Sequence, residues 1–217
     1  MVKSFEKLIS LENIFSAWRE FRAGKNNRPD IMAFERNLED NLFALREDLV
    51  NHIYKHGPYH TFHIYDPKHR IISKATVRDR VVHHLIFREL YEIFNPTFIF
   101  HSYSSRLGKG AHRAVKNLSK ILRSVSHNYT QPTFALKCDI KQFFASVPHQ
   151  NLLTIIQRKI KDRGVLRLVE EIVVSFSSQS FTNNTIPTGG GLKSAVIASD
   201  PAMAGERGDP VSVCDWI

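Results

Sequence analysis

The chain has 217 residues, 42% of them hydrophobic, and 30 Lys and Arg stand against 21 Asp and Glu for a formal net charge of +9. That length and apolar content exclude a disordered tail and support one good domain or two small ones, and the basic balance favours an acidic partner as much as it fits an ordinary basic soluble protein. Cys138 and Cys214 are too few and too far apart for a disulfide framework, and no run reaches the ~18 apolar residues of a membrane span, so the expectation is a cytoplasmic protein with no membrane partner.

Phe5, Leu8, Ile9, Ile14, Phe15, Trp18 and Phe21 recur at helical spacing and predict a first helix that stops at Gly24. Lys25 to Pro29 reads as a turn. From Asp30, the positions Ile31, Phe34, Leu38, Leu42, Leu45, Leu49 and Ile53 predict one long second helix with a single apolar stripe and a charged opposite face. The period changes after Gly57-Pro58, where Phe62 to Tyr65 and Arg70 to Ser73 predict two strands joined by Asp66-Pro67-Lys68-His69. Val81, Val82, Leu85, Ile86, Leu90, Ile93 and Phe94 mark a helix that Asn95-Pro96 ends. After the turn Gly108-Lys109-Gly110, Ala111, Ala114, Leu118, Ile121, Leu122 and Val125 mark another.

Phe134-Ala135-Leu136-Lys137-Cys138-Asp139 alternates as a strand, with Asp139 on the face away from the apolar row. The pair Phe143-Phe144 follows, Ser146-Val147-Pro148 opens a helix over about 149 to 162, and a last helix covers about 165 to 177. Past Phe181 the chain turns to small residues, Gly, Pro and Asp, with no sustained period.

A carboxylate at a strand end suits two-metal phosphoryl transfer, because the two ions must be held ~3.5 to 4 Å apart by groups on rigid elements. A lone Asp more often ends a strand or caps a turn. Arg70, Arg80 and Arg106, taken singly, read as surface residues or ion-pair partners. His52 and His56 lie one helical turn apart, but without cysteines or a second matching pair they read as packing residues and not zinc ligands.

The stretch from Phe134 to His149 resembles the first catalytic motif of reverse transcriptases, above all those of bacterial retroelements such as group II introns and diversity-generating elements. Upstream, Asp66-Pro67-Lys68-His69-Arg70-Ile71-Ile72, Val77 to His84, and Ser102 to His112 resemble that family's fingers motifs in the same order. The similarity runs over about residues 11 to 191 and ends at Ile186-Pro187-Thr188-Gly189.

The resemblance implies an α+β right-hand polymerase fold, with an N-terminal helical extension over 1–56, fingers over 57–130, part of a palm over 131–191 and an irregular tail over 192–217. It implies RNA-directed DNA synthesis on an RNA template with a DNA primer and dNTP. Asp139 would be the catalytic, metal-holding carboxylate for Mg2+, and Phe144 or its neighbour Phe143 the gate against a 2′-hydroxyl. Arg70, Arg80, Arg106 and Lys109 would contact triphosphate or template, since Arg forks bind phosphate oxygens in pairs.

The family's Asp-Asp pair, however, does not follow Asp139 in this sequence, and Asp200, Asp209 and Asp215 stand isolated among Pro and Gly. The expectation is therefore an incomplete, inactive, C-terminally truncated copy. Its rivals are an RNA-binding protein derived from the fingers and a chain whose palm a separate polypeptide completes.

Overall fold

Ser10 divides what the spacing predicts as one helix. The computed structural model describes residues 4–65, 69–140 and 143–177, without the side chains of Phe144, Ala145 and Ser177. In it a single turn, α1 (Phe5–Leu8), is followed by α2 (Leu11–Arg22), and the Ser10 hydroxyl accepts from the Asn13 amide at 3.4 Å as the N-cap of α2. The Asn13 side chain reaches back to the Leu8 carbonyl at 2.7 Å and satisfies an acceptor the broken helix leaves open.

The long second helix also divides, into α3 (Pro29–Glu35) and α4 (Leu38–Val50). Asn37 leaves helical geometry with φ −124° and ψ 44°, and the Asn41 amide nitrogen donates to the orphaned Phe34 carbonyl at 2.9 Å. One apolar stripe thus runs through two helices, because periodicity reports the buried face and capping side chains decide where the backbone breaks.

Strands β1 (His60–Ile64) and β2 (Arg70–Lys74) pair antiparallel, with His60 opposite Lys74 and Ile64 opposite Arg70. Helix α5 (Val77–Phe94) follows directly, then α6 (Ala111–Val125), the short α7 (Phe143–Ser146), α8 (His149–Lys159) and α9 (Arg163–Ser177). A mostly helical chain with one two-stranded sheet is compatible with the α+β class. The tail over 192–217, the Pro187-Thr188-Gly189 match and the turn residues Asp66, Pro67 and Lys68 lie outside the described residues.

The chain divides into two units, one of residues up to 96 together with α8 and α9, the other beginning at Thr97 and ending at Val147. In the first, Ile14, Ala17, Trp18 and Phe21 of α2 pack with Ile31 of α3, Leu42, Leu45 and Leu49 of α4, and Val81, Val82 and Leu85 of α5. Val165, Leu168 and Val169 of α9 and Leu153 and Ile156 of α8 extend the same core. Helix α5 is the central element: its first ten residues are buried almost all round, so its polar residues there need internal partners.

The second unit is built differently. None of the residues of α6 is buried, and Val115, Leu118, Ile121 and Val125 on its apolar stripe are exposed. Three consecutive left-handed residues, His127, Asn128 and Tyr129, end it, with the Asn128 amide bonded to the Arg123 carbonyl at 2.8 Å.

The strand expected over Phe134 to Asp139 does not form. Its residues carry no regular structure beyond a single bridge at Lys137, and Phe134 and Leu136 are 92% and 78% exposed. Alternation writes two faces into the sequence, but cross-strand neighbours stabilise a strand, and among the described residues only β1 and β2 form a ladder.

Candidate nucleic-acid interface

Alternation along the hairpin separates two faces. Phe62, Ile64, Arg70, Ile72 and Lys74 share one, on which Phe62, Ile72 and Lys74 are half-buried. Thr61, His63, Tyr65, His69, Ile71 and Ser73 share the other, and all six are exposed. Lys74 anchors the base of the first face through an ion pair with Asp30 at 2.8 Å. Arg70 sits at the far end of that face, exposed, with no ion pair among the described residues.

On the opposite face the rings gather. His63 Nδ1 and His69 Nε2 lie 2.7 Å apart, and their planes differ by 7° at a centroid separation of 5.0 Å. So short a nitrogen contact between nearly parallel rings puts the imidazoles edge to edge in almost one plane, one ring N–H donating to the other ring's nitrogen. The Tyr65 ring lies 4.9 Å from His69 at 22°, too close to share its plane, and so stacks offset against it.

The start of α5 is a buried polar knot. Thr76, its N-cap, accepts from the Asp79 amide at 3.2 Å and donates to Asp79 Oδ2 at 2.6 Å. Asp79, 1% exposed, also accepts from the Tyr54 hydroxyl at 2.8 Å and the Gly57 amide at 3.1 Å. Gly57 allows this approach, since a Cβ there would meet Asp79 Oδ2 at 2.9 Å. Burial first, then the charge and hydrogen bond of Asp79, push the Tyr54 phenol above its ordinary value. Beside it, Glu171 of α9 accepts from the His56 amide at 3.1 Å and from Lys55 at 3.0 Å, and His56 Nε2 meets His83 Nε2 at 3.1 Å.

Arg80 belongs to this interior. It is 5% exposed, its guanidinium pairs with Asp30 and lies over the Phe21 ring, so in the described structure it ties α5 to α3 and presents no fork to solvent. Burial alone would raise the Asp30 carboxyl, but hydrogen bonds and charges from Lys74 and Arg80 outweigh it and hold the group below the usual carboxylate range. Arg78 is similarly held, paired with Asp48 and placed over the Tyr54 ring.

In the second unit, Arg106 and Lys109 meet in one loop. Arg106 Nη1 donates to the carbonyls of Ile99 at 3.1 Å and Ser102 at 3.2 Å, and the guanidinium lies over Phe98. Lys109 Nζ donates to the Phe100 carbonyl at 2.7 Å and sits 4.1 Å from the Phe100 centroid. Both side chains are half-buried and brace the loop from within, while adding positive charge to its surface. Helix α6 adds Arg113, Lys116, Lys120 and Arg123 and no acidic residue.

Asp139 is exposed on the irregular segment, and Phe143, at the start of α7, is 49% exposed. The Phe144 side chain lies outside the described set. Among the described residues no group of three or more His, Cys, Asp or Glu side chains converges.

Sequence reasoning missed Tyr54, Asp79 and Glu171. The Thr76-x-x-Asp79 spacing before an apolar run is a capping signal that could have marked Asp79 as structural.

No family model matches the chain. It is similar to an uncharacterised 91 kDa protein in the cob intron of Schizosaccharomyces pombe, 30% identical over 102 residues that make up 47% of this chain and 12% of that protein. It is 25% identical to a putative COX1/OXI3 intron 2 protein of Saccharomyces cerevisiae over 61% of the chain and 15% of the relative. A mitochondrial nuclear intron maturase 2 of Arabidopsis thaliana matches at 21% identity over 66% of the chain and 21% of its own length. These relatives are named for introns, and the chain spans between 12% and 21% of their length.

Proposed function

We propose that this chain belongs to a retroelement protein of the reverse transcriptase and intron maturase kind, and that its own activity is to bind RNA. The similarity to intron proteins over about half to two thirds of the chain carries the reading. The net charge of +9, the exposed Arg70 and the unopposed basic face of α6 support it, because neutralising phosphates releases counterions and supplies most of the affinity for a nucleic acid backbone. In this reading β1, β2 and α5 belong to the fingers and Asp139 to the first palm motif. RNA template, DNA primer, dNTP and Mg2+ enter only in a protein that adds further carboxylates to Asp139, so the chain by itself is expected to give no primer extension with magnesium.

Titration of a labelled RNA oligonucleotide against the full chain tests the reading. Affinity should fall steeply as salt rises, and Arg70→Ala should weaken binding and lower the salt slope by about 1. Arg80→Ala should instead lower stability by about 1–3 kcal/mol, because Asp30 loses one of its two cationic partners and Phe21 the guanidinium packed over it. Absence of binding at low salt would remove the basis of the proposal.

The uncovered stripe of α6 and the exposed Phe134 and Leu136 favour a second reading, in which a separate polypeptide completes the palm. Co-expression with the Asp-Asp-bearing portion of a relative should then yield a complex whose DNA synthesis depends on Asp139. A chain that purifies alone from that co-expression would count against it.

A further inference from the structure

The hairpin face that carries Tyr65, His63 and His69 is not the one that carries Arg70, and its chemistry differs. We propose that this outer face is a stacking site for an unpaired nucleobase of single-stranded RNA. The inference rests on the RNA-binding reading and names a second contact within it.

The coplanar His63 and His69 rings present a flat edge-to-edge slab, and Tyr65, 73% exposed, lies against it. Flat, exposed π-faces recognise bases without reading their identity, and each stacked base adds an increment of affinity that a duplex, with its bases already stacked, does not receive. Thr61 and Ser73, 3.5 Å apart across the strands, continue the face with hydroxyls able to bond ribose or phosphate.

Charge complementarity selects the occupant. The two strands carry no acidic residue, Arg70 stands exposed on the opposite face of the same hairpin, and the whole chain carries a formal +9. An acidic polymer that also offers planar rings fits this surface, and unpaired RNA has both properties. An apolar peptide would find a face of rings bordered by the Thr61 and Ser73 hydroxyls. Lys74 holds the hairpin base to Asp30, so the platform is mounted on the helical core.

The test compares a single-stranded RNA 12-mer, the same strand with abasic positions, and its blunt duplex, each titrated against the full chain. The variant Tyr65→Ala with His69→Ala should bind the single strand roughly tenfold more weakly, with duplex affinity and salt slope unchanged. Tyr65→Phe should retain wild-type affinity. On the abasic strand the wild type should fall to the level of the double variant.

Circular dichroism and the Trp18 emission report that the double variant folds, as expected for two exposed residues far from the core. Equal affinity of wild type and double variant for the single strand overturns this inference and leaves RNA binding standing. A wild type that binds none of the three overturns both.

Discussion

Asp79 shows how much of this protein rests on single polar residues. Its carboxylate satisfies the Tyr54 hydroxyl, the Gly57 amide and the Thr76 hydroxyl at once, at 1% exposure. Removing it strands the buried Tyr54 hydroxyl and takes a partner from the half-buried Gly57 amide and the Thr76 hydroxyl, so Asp79→Ala should cost about 1–3 kcal/mol, read as a shift of the urea midpoint. Tyr54→Phe removes one bond to a charged group and should cost about 1.5–3 kcal/mol. Two other residues set an acid limit. Asp30 is held below its ordinary value, so the unfolded chain binds that proton first. Its stabilisation is present above about pH 4 and is lost as pH falls through the folded value. Burial outweighs the Glu20 bond at His84 and lowers that imidazole, which the folded state keeps neutral. The unfolded chain takes up this proton below about pH 6.5, and stability falls from there toward the folded value. Thermal melts should therefore weaken in two windows on acidification, with His84→Gln removing the upper one and Asp30→Asn shrinking the lower, to which Asp162 also contributes.

At the scale of elements, helix existence was legible in the sequence and helix breaks were not. Apolar residues at helical spacing mark α2, α4, α5, α8 and α9, but the same stripe passes through Ser10, whose hydroxyl caps α2, and through Asn37, where the backbone leaves helical geometry and Asn41 caps the end of α3. The hairpin was legible to within two residues, because its period of two survives beside a turn sequence. The expected strand to Asp139 was not realised, since its pattern needs a neighbour that no local signal supplies. Junctions between distant elements were invisible too. Gly164 begins α9 under the ring of Phe5, and a Cβ there would lie 2.5 Å from Phe5 Cγ and 2.7 Å from its Cβ. Ala ordinarily improves a helix by about 0.5–1 kcal/mol over Gly, but overpacking costs about 1–3 kcal/mol and one of the crowded atoms cannot swing away. Gly164→Ala should lower the melting temperature, and adding Phe5→Ala should make the Gly164 change less costly in a double-mutant cycle.

Across the whole molecule, the candidate site divided by burial. Arg70 lies where a ligand can meet it, Arg80 was drawn into the core by Asp30, and Arg106 and Lys109 brace a loop. Sequence motifs give the order of such residues, but burial follows from partners tens of residues away, and Asp30 stands fifty positions before Arg80. The uncovered stripe of α6 has a consequence in solution: large exposed apolar patches drive association. Light scattering should show concentration-dependent aggregation that Leu118→Lys with Ile121→Lys reduces. The Phe5 amide, finally, donates to Asp162 at 3.0 Å, so the first helix of the chain is seated by a residue made 157 positions later. On a ribosome adding about 5–20 residues per second, roughly 4 to 16 s separate the emergence of residue 96 from that of residue 177. During that interval α2, α4 and α5 must wait with the face that α8 and α9 will cover, and a nascent chain arrested before α8 should be a better chaperone client than one arrested after α9.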